Sequence, residues 1–240
     1  MKLEICVDLL ESAVIAEKGG ADRIELCADL QLGGTTPTGG LMKTARKHLD
    51  IDIYAMIRPR SGDFLYTELE FETMKADIEL AKEMGMDGVV FGILDEDGNI
   101  DKARMQELIE LAAPMKVTVH RAFDVSNDLF KSLETLVELG VERILTSAGG
   151  LKVTDNLPLL NKIVKKADHR IKIMAGSGVT AENAQEVIQT GVDEVHLSAK
   201  SKHESQMRFK QEINMGTSEG EFVEKTDMEK VMNMKKICTL

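Results

Sequence analysis

The chain has 240 residues, 43% hydrophobic and 30% charged, with a formal net charge of −11. The length suits one large domain with a sizeable core, and the acidic balance argues against nucleic acid or an anionic membrane surface as partner, because both require a basic face. Glu4, Asp8 and Glu11 interrupt the N-terminal stretch, no run is apolar for the roughly 18 residues a membrane span needs, and three cysteines form no disulfide framework, so the expected setting is the reducing cytoplasm.

The first apolar run, KLEICV at 2–7, predicts a strand, and a helix follows near 9–19. Gly20 then precedes a second short strand that ends in IELC at 24–27. A helix near 39–48 leads to a third strand, IDIYAMI at 51–57. The next helix, near 67–84, opens on Thr67 and Glu70, a capping-box pair. Gly85 and the apolar GVVF run mark strand four, and a helix near 101–112 starts at Asp101. Strand five is KVTVH at 116–120, with a helix near 127–139 capped by Asn127. Gly140 precedes strand six, RILTS; a helix near 155–167 and strand seven, RIKIMA at 170–175, follow. Thr180 caps a helix near 180–190, Gly191 precedes strand eight, EVHLS, and a last helix is expected near 219–236.

The segments AEKGGADRIELC, AKEMGMDGVVFG, LVELGVERILTS and VIQTGVDEVHLS share one pattern: an apolar helix face, a Gly, polar residues, then a short strand. The Gly sits where a helix C-terminus turns left-handed. Eight strands alternating with eight helices predict a (β/α)8 TIM-type barrel of eight parallel strands in a single domain over 1–240. A doubly wound sheet is the runner-up, but CVDLLES after strand one is no phosphate-binding glycine loop. The connection at 199–220 is long enough to be a lid or a disordered segment, and carries His203, Met207, Arg208 and Lys210.

Function in such a barrel sits where the strands end. Side chains alternate along a strand, so Glu4 and Cys6, Glu25 and Cys27, Thr118 and His120, and His196 and Ser198 share the inward parity. Ile5, Leu26 and Ile57 face the helices. Inward acids, imidazoles and arginines call for a reason, because apolar side chains alone can fill a barrel. Purely structural ion pairs are one such reason. Arg58 and Arg60 flank Pro59 and suit an oxyanion, and GSG at 176–178 resembles the glycine turns in which many barrels hold phosphate. His120 is a candidate acid or base, with Asp124 to orient it.

The ordered set EIC, ESAVIAEKGGADRIELCADL, GGTTPTGG, MIRPRSGDFLY, DGVVFGILDEDGNID, HRAFD, ILTS and AGSGVTAEN resembles the CutC copper homeostasis family over nearly the whole chain. The resemblance implies a cytoplasmic (β/α)8 barrel that handles copper, with Cys6 and Cys27 as the copper-binding thiols. Cu(I) favours soft thiolates, and two can suffice. Equal register on neighbouring strands, about 4.8 Å apart, would set Cys6 beside Cys27 and Glu4 beside Glu25, leaving Arg58 and Arg60 as the nearest counter-charges. The alternative is an enzyme acting by acid–base chemistry on a small phosphorylated or carboxylated metabolite. Arg58, Arg60, Gly176, Ser177, Gly178 and Ser198 would hold the anion, and His120, Glu25 and Asp124 would move protons. Lys200 is the only lysine near a strand end, so an imine mechanism is disfavoured. Neither reading calls for an organic cofactor. A homodimer is expected by fold analogy.

Overall fold

The computed structural model describes residues 1–209 and 222–239. Eight strands run in sequence order: β1 Lys2–Val7, β2 Arg23–Leu26, β3 Asp52–Met56, β4 Gly88–Phe91, β5 Lys116–Val119, β6 Arg143–Thr146, β7 Lys172–Ala175 and β8 Glu194–Leu197. They close into one barrel in which every pair is parallel and β8 returns to β1. The helices between them are α1 Leu10–Lys18, α2 Gly39–His48, α3 Glu68–Glu83, α4 Lys102–Ala112, α5 Leu129–Glu138, α6 Leu157–Ala167 and α7 Ala184–Gln189, and α8 Met228–Cys238 closes the chain. The expected (β/α)8 architecture is therefore present. Gly20, Gly85, Gly140 and Gly191 have φ of 94, 74, 71 and 90°, the left-handed geometry that ends each helix and re-aims the chain into the next strand.

Strand parity separates two interiors. Leu3, Ile5, Val7, Ile24, Leu26, Ile53, Val89 and Phe91 are fully buried between the barrel wall and the helices. Each contributes roughly 1.5–3 kcal/mol through burial. The opposite parity lines the barrel axis. There Cys27, Tyr54, Met56 and Val90 form a small separate apolar cluster, and charged and polar side chains share the rest of the axis with Leu145 and Met174.

Several local expectations are corrected. Phe222–Thr226 is a strand, β10, not the start of a helix; it pairs antiparallel with β9, Lys200–Glu204. The last helix starts after Asp227, whose carboxylate accepts from the N–H groups of Glu229 and Lys230. The cap of α5 is Asp128 rather than Asn127. The helix expected from Thr180 begins only at Ala184 and has six residues, because 180–183 form a turn held by Asn183 Oδ1 accepting from the Thr180 N–H. The capping box of Thr67 with Glu70 and the Asp101 cap are present as expected. Within the long connection, His203, Met207 and Arg208 are exposed, whereas Lys210 lies outside the described residues.

Candidate functional site

The lower barrel axis holds a charged plug. Arg23 on β2 donates through Nε to Glu4 on β1 and through Nη2 to Glu194 on β8. Arg143 on β6 donates to Glu194 at 2.8 Å and to Thr118 Oγ1 at 3.0 Å. Both guanidinium groups flank the Tyr54 ring, 4.8 and 5.2 Å from its centroid. All five charged and hydroxyl groups, Glu4, Arg23, Thr118, Arg143 and Glu194, are buried. A buried charge is tolerated when it is paired and hydrogen-bonded, and this network pairs its charges across five strands, leaving Arg23 Nη1 without an acceptor.

Glu4 links the plug to the mouth. Its second oxygen accepts from His196 Nδ1 at 2.7 Å. Burial pushes the Glu4 carboxyl up, but Arg23 and His196 outweigh it and hold its pKa at about 2. With Nδ1 engaged, the Nε2 edge of His196 faces Glu25, 3.8 Å from its Oε2. Cys6 completes the group: one donor atom each of Cys6, Glu25 and His196 lie within 4.8 Å of one another, and all three residues are buried. Burial disfavours charge on His196, yet the Cys6 sulfur and the Glu25 and Glu4 carboxylates push its pKa well above the ordinary histidine value. Burial raises the Glu25 carboxyl, and its Oε1 has no hydrogen-bond partner.

This geometry changes the two-thiol expectation. On the β1–β2 ladder Cys6 pairs with Glu25 and Glu4 with Arg23, a two-residue stagger. Closing a barrel requires tilted, staggered strands, so the repeated Glu-x-Cys motifs do not lie side by side. Cys27 is one inward step further up β2, where its S–H donates to Glu25 Oε2 at 3.5 Å. Burial and the neighbouring Glu25 push the Cys27 thiol well up, so it remains protonated. Nor do Arg58 and Arg60 compensate Glu4; Arg23 does.

Above the Cys6–Glu25–His196 group opens a cavity of about 910 Å³. Of the expected anion-binding residues, Arg58, Ser177, Gly178 and Ser198 line it. Arg60 turns outward after Pro59 and pairs with Asp63 and Glu70, bracing the start of α3. Gly176 sits beneath the wall: its N–H is used by Thr146 O, and a Cβ there would meet Leu145 at 2.5 Å and His196 at 3.3 Å. Its lack of a side chain leaves room chiefly for Leu145 and, less tightly, for the His196 ring. Gly178 does not open a helix directly, because α7 starts later and is short. His120 lines the cavity, but Asp124 does not orient it. The Asp124 carboxylate instead accepts from Arg121 Nε, Ser147 and the Gly149 N–H, stapling the β5 and β6 loops together. His120 Nδ1 accepts from the Ala122 N–H, which leaves the proton on Nε2. Burial and the Arg58 charge lower its pKa to about 3. At neutral pH it is a neutral hydrogen-bond donor, and a poor proton acceptor.

The strand-end reading missed Arg23, Arg143 and Glu194. All three lie at strand starts, below the mouth, although each shares the inward parity of the residue two further on. Counting parity down the whole strand, and not at its end alone, would have found them.

Fold and site together define a (β/α)8 barrel with a buried thiol–carboxylate–imidazole group at the base of an open mouth. The CutC family model matches residues 1–201. The copper homeostasis protein cutC homolog of Homo sapiens is 48% identical over 218 residues, covering 90% of this chain and 80% of that protein. A CutC family protein of Parabacteroides distasonis is 50% identical, covering 95% of this chain and 97% of its own length. The crystal structure of CutC from Streptococcus agalactiae superposes with a TM-score of 0.79 at 37% identity, covering 82% of this chain and 98% of that one. The chain belongs to the CutC family.

Proposed function

We propose that the protein binds copper as Cu(I), its cargo in copper homeostasis, through Cys6 and His196 at the base of the barrel mouth. The observation that carries this reading is the convergence of Cys6, Glu25 and His196 within 4.8 Å. The donor chemistry fits. A thiolate is the ligand Cu(I) favours, and imidazole suits copper equally. The bond from His196 Nδ1 to Glu4 is the outer contact that typically sets the tautomer of a metal-binding histidine. Glu25 stands on the third side with an unpartnered oxygen, and Cys27 holds its other oxygen in place. The copper homeostasis name of the human relative supports copper over zinc, which the same donors could take. The described cysteines, Cys6, Cys27 and Cys238, are all free and buried, which supports work in a reducing compartment such as the cytoplasm. Among the described residues no helix is long and apolar enough to cross a membrane.

Titration of the reduced protein with Cu(I) against a colorimetric chelator tests the reading. One ion per chain is expected, held more tightly than Zn(II). Cys6→Ser should lose more affinity than the ~10–100-fold that removal of an outer hydrogen-bond partner costs, and Cys27→Ser should lose less than Cys6→Ser. Equal Cu(I) binding by Cys6→Ser and the parent sinks the proposal.

A further inference from the structure

A single ion needs little of the 910 Å³ cavity above it; that volume is of the size that takes a small organic molecule. Its wall contains an unbalanced charge. The described buried arginines of the plug are each matched by carboxylates, Arg23 by Glu4 and Glu194 and Arg143 by Glu194 and Glu142. Arg58 is also buried, at 6% exposure, but among the described residues no carboxylate lies within ion-pair distance of it. Its Nη1 donates to Leu32 O and Gly34 O and its Nη2 to Gly62 O. Carbonyl dipoles solvate a guanidinium without neutralising it. Of its five N–H donors, Nε meets no acceptor at hydrogen-bond distance; the buried Tyr66 hydroxyl beside the guanidinium interacts with it but is neutral and does not balance its charge. Leaving a buried cation without a counter-charge is costly, so its retention at a mouth calls for an anion from outside.

His120 adds a second unmet donor on the same wall. The Phe64 ring lies between the two residues, 5.2 Å from the Arg58 guanidinium and 4.8 Å from the His120 ring. His120 is 4% exposed and its Nε2 has no partner. Since Nδ1 is occupied by the Ala122 N–H, Nε2 carries a proton that nothing accepts. A neutral donor beside a buried cation is suited to an oxygen next to an anionic group. Arg121 borders the same cavity, with its orientation fixed by Asp124, Ser147 and Ser177.

We infer that the mouth binds a small organic oxyanion, a carboxylate or a phosphate ester, whose anionic group neutralises Arg58 and whose adjacent carbonyl or hydroxyl oxygen accepts from His120 Nε2. This site stands beside the Cys6–Glu25–His196 group and does not depend on copper.

Thermal unfolding of the metal-free protein is followed in increasing inorganic phosphate, malonate or chloride at constant ionic strength. A saturable rise in Tm with phosphate or malonate, absent with chloride, is expected; saturation by phosphate alone assigns a phosphate ester, and by malonate alone a carboxylate. Arg58→Met should weaken the apparent affinity at least tenfold and His120→Phe severalfold, while Lys102→Ala, an exposed surface position away from the cavity, leaves it unchanged. If Arg58→Met does not fold, His120→Phe and the His120 imidazole NMR signal of the parent, which should shift on saturation, decide the matter. No saturable response to either anion, or a response unaltered in the variants that fold, overturns the inference.

Discussion

Arg23→Met is expected to lower the unfolding free energy by roughly 3–5 kcal/mol, the scale of removing one partner of a buried ion pair. Arg23 serves two carboxylates at once, Glu4 and Glu194. Both are essentially without solvent contact, so neither can be rehydrated when the guanidinium is removed. Glu194 retains Arg143, but Glu4 retains only His196. Net stabilities are of order 5–15 kcal/mol, so the variant should be strongly destabilised in urea. Arg60→Ala is the control: its pairs with Asp63 and Glu70 are partly exposed, and loss of such pairs costs roughly 0–1 kcal/mol. A similar small loss for both variants would mean that the plug is not what ties the strands together.

Glu4→Gln is the second large effect, and it separates the plug from the site. Glu4 does not belong to the Cys6–Glu25–His196 group; its carboxylate accepts from His196 Nδ1 and Arg23. In the variant, Arg23 takes the amide oxygen, and the amide nitrogen faces Nδ1. An amide N–H beside Nδ1 moves the imidazole proton to Nε2, the nitrogen turned toward Glu25. Cu(I) affinity should then fall by roughly 10–100-fold, although every donor atom of the site remains. Competition titration of the variant measures this directly. Affinity unchanged within about twofold would show that the Glu4 contact does not set the histidine's tautomer.

The barrel was legible because it is written in a repeated local signal. The αβ unit, with its glycine at each left-handed turn, recurs often enough that the count of strands decides the architecture. The end of the chain was harder to read: the strand Phe222–Thr226 borrows its partner from Lys200–Glu204, a contact no local pattern reveals. The site was legible in membership but not in arrangement. Parity placed Cys6, Glu25, His120 and His196 on the axis. It could not supply the stagger between strands, which depends on how the barrel closes, and so it matched Cys6 with Cys27 where the ladder matches Cys6 with Glu25. Arg60 shows the complementary failure. Alternation holds only along a strand, and β3 has ended at Met56 before Pro59 turns the chain outward. Asp124 likewise lies beyond the end of β5, in a short 3-10 helix at Phe123–Val125, where sequence proximity to His120 says nothing about direction.

The central claim concerns which atoms meet the metal, and X-ray absorption at the copper edge of the reduced, Cu(I)-loaded protein addresses it most directly. Ligation by one sulfur together with imidazole nitrogen is expected, with the sulfur signal lost in Cys6→Ser and the imidazole signal lost in His196→Gln. A copper bound by two sulfurs and no imidazole, or spectra that Cys6→Ser leaves unchanged, would contradict the account.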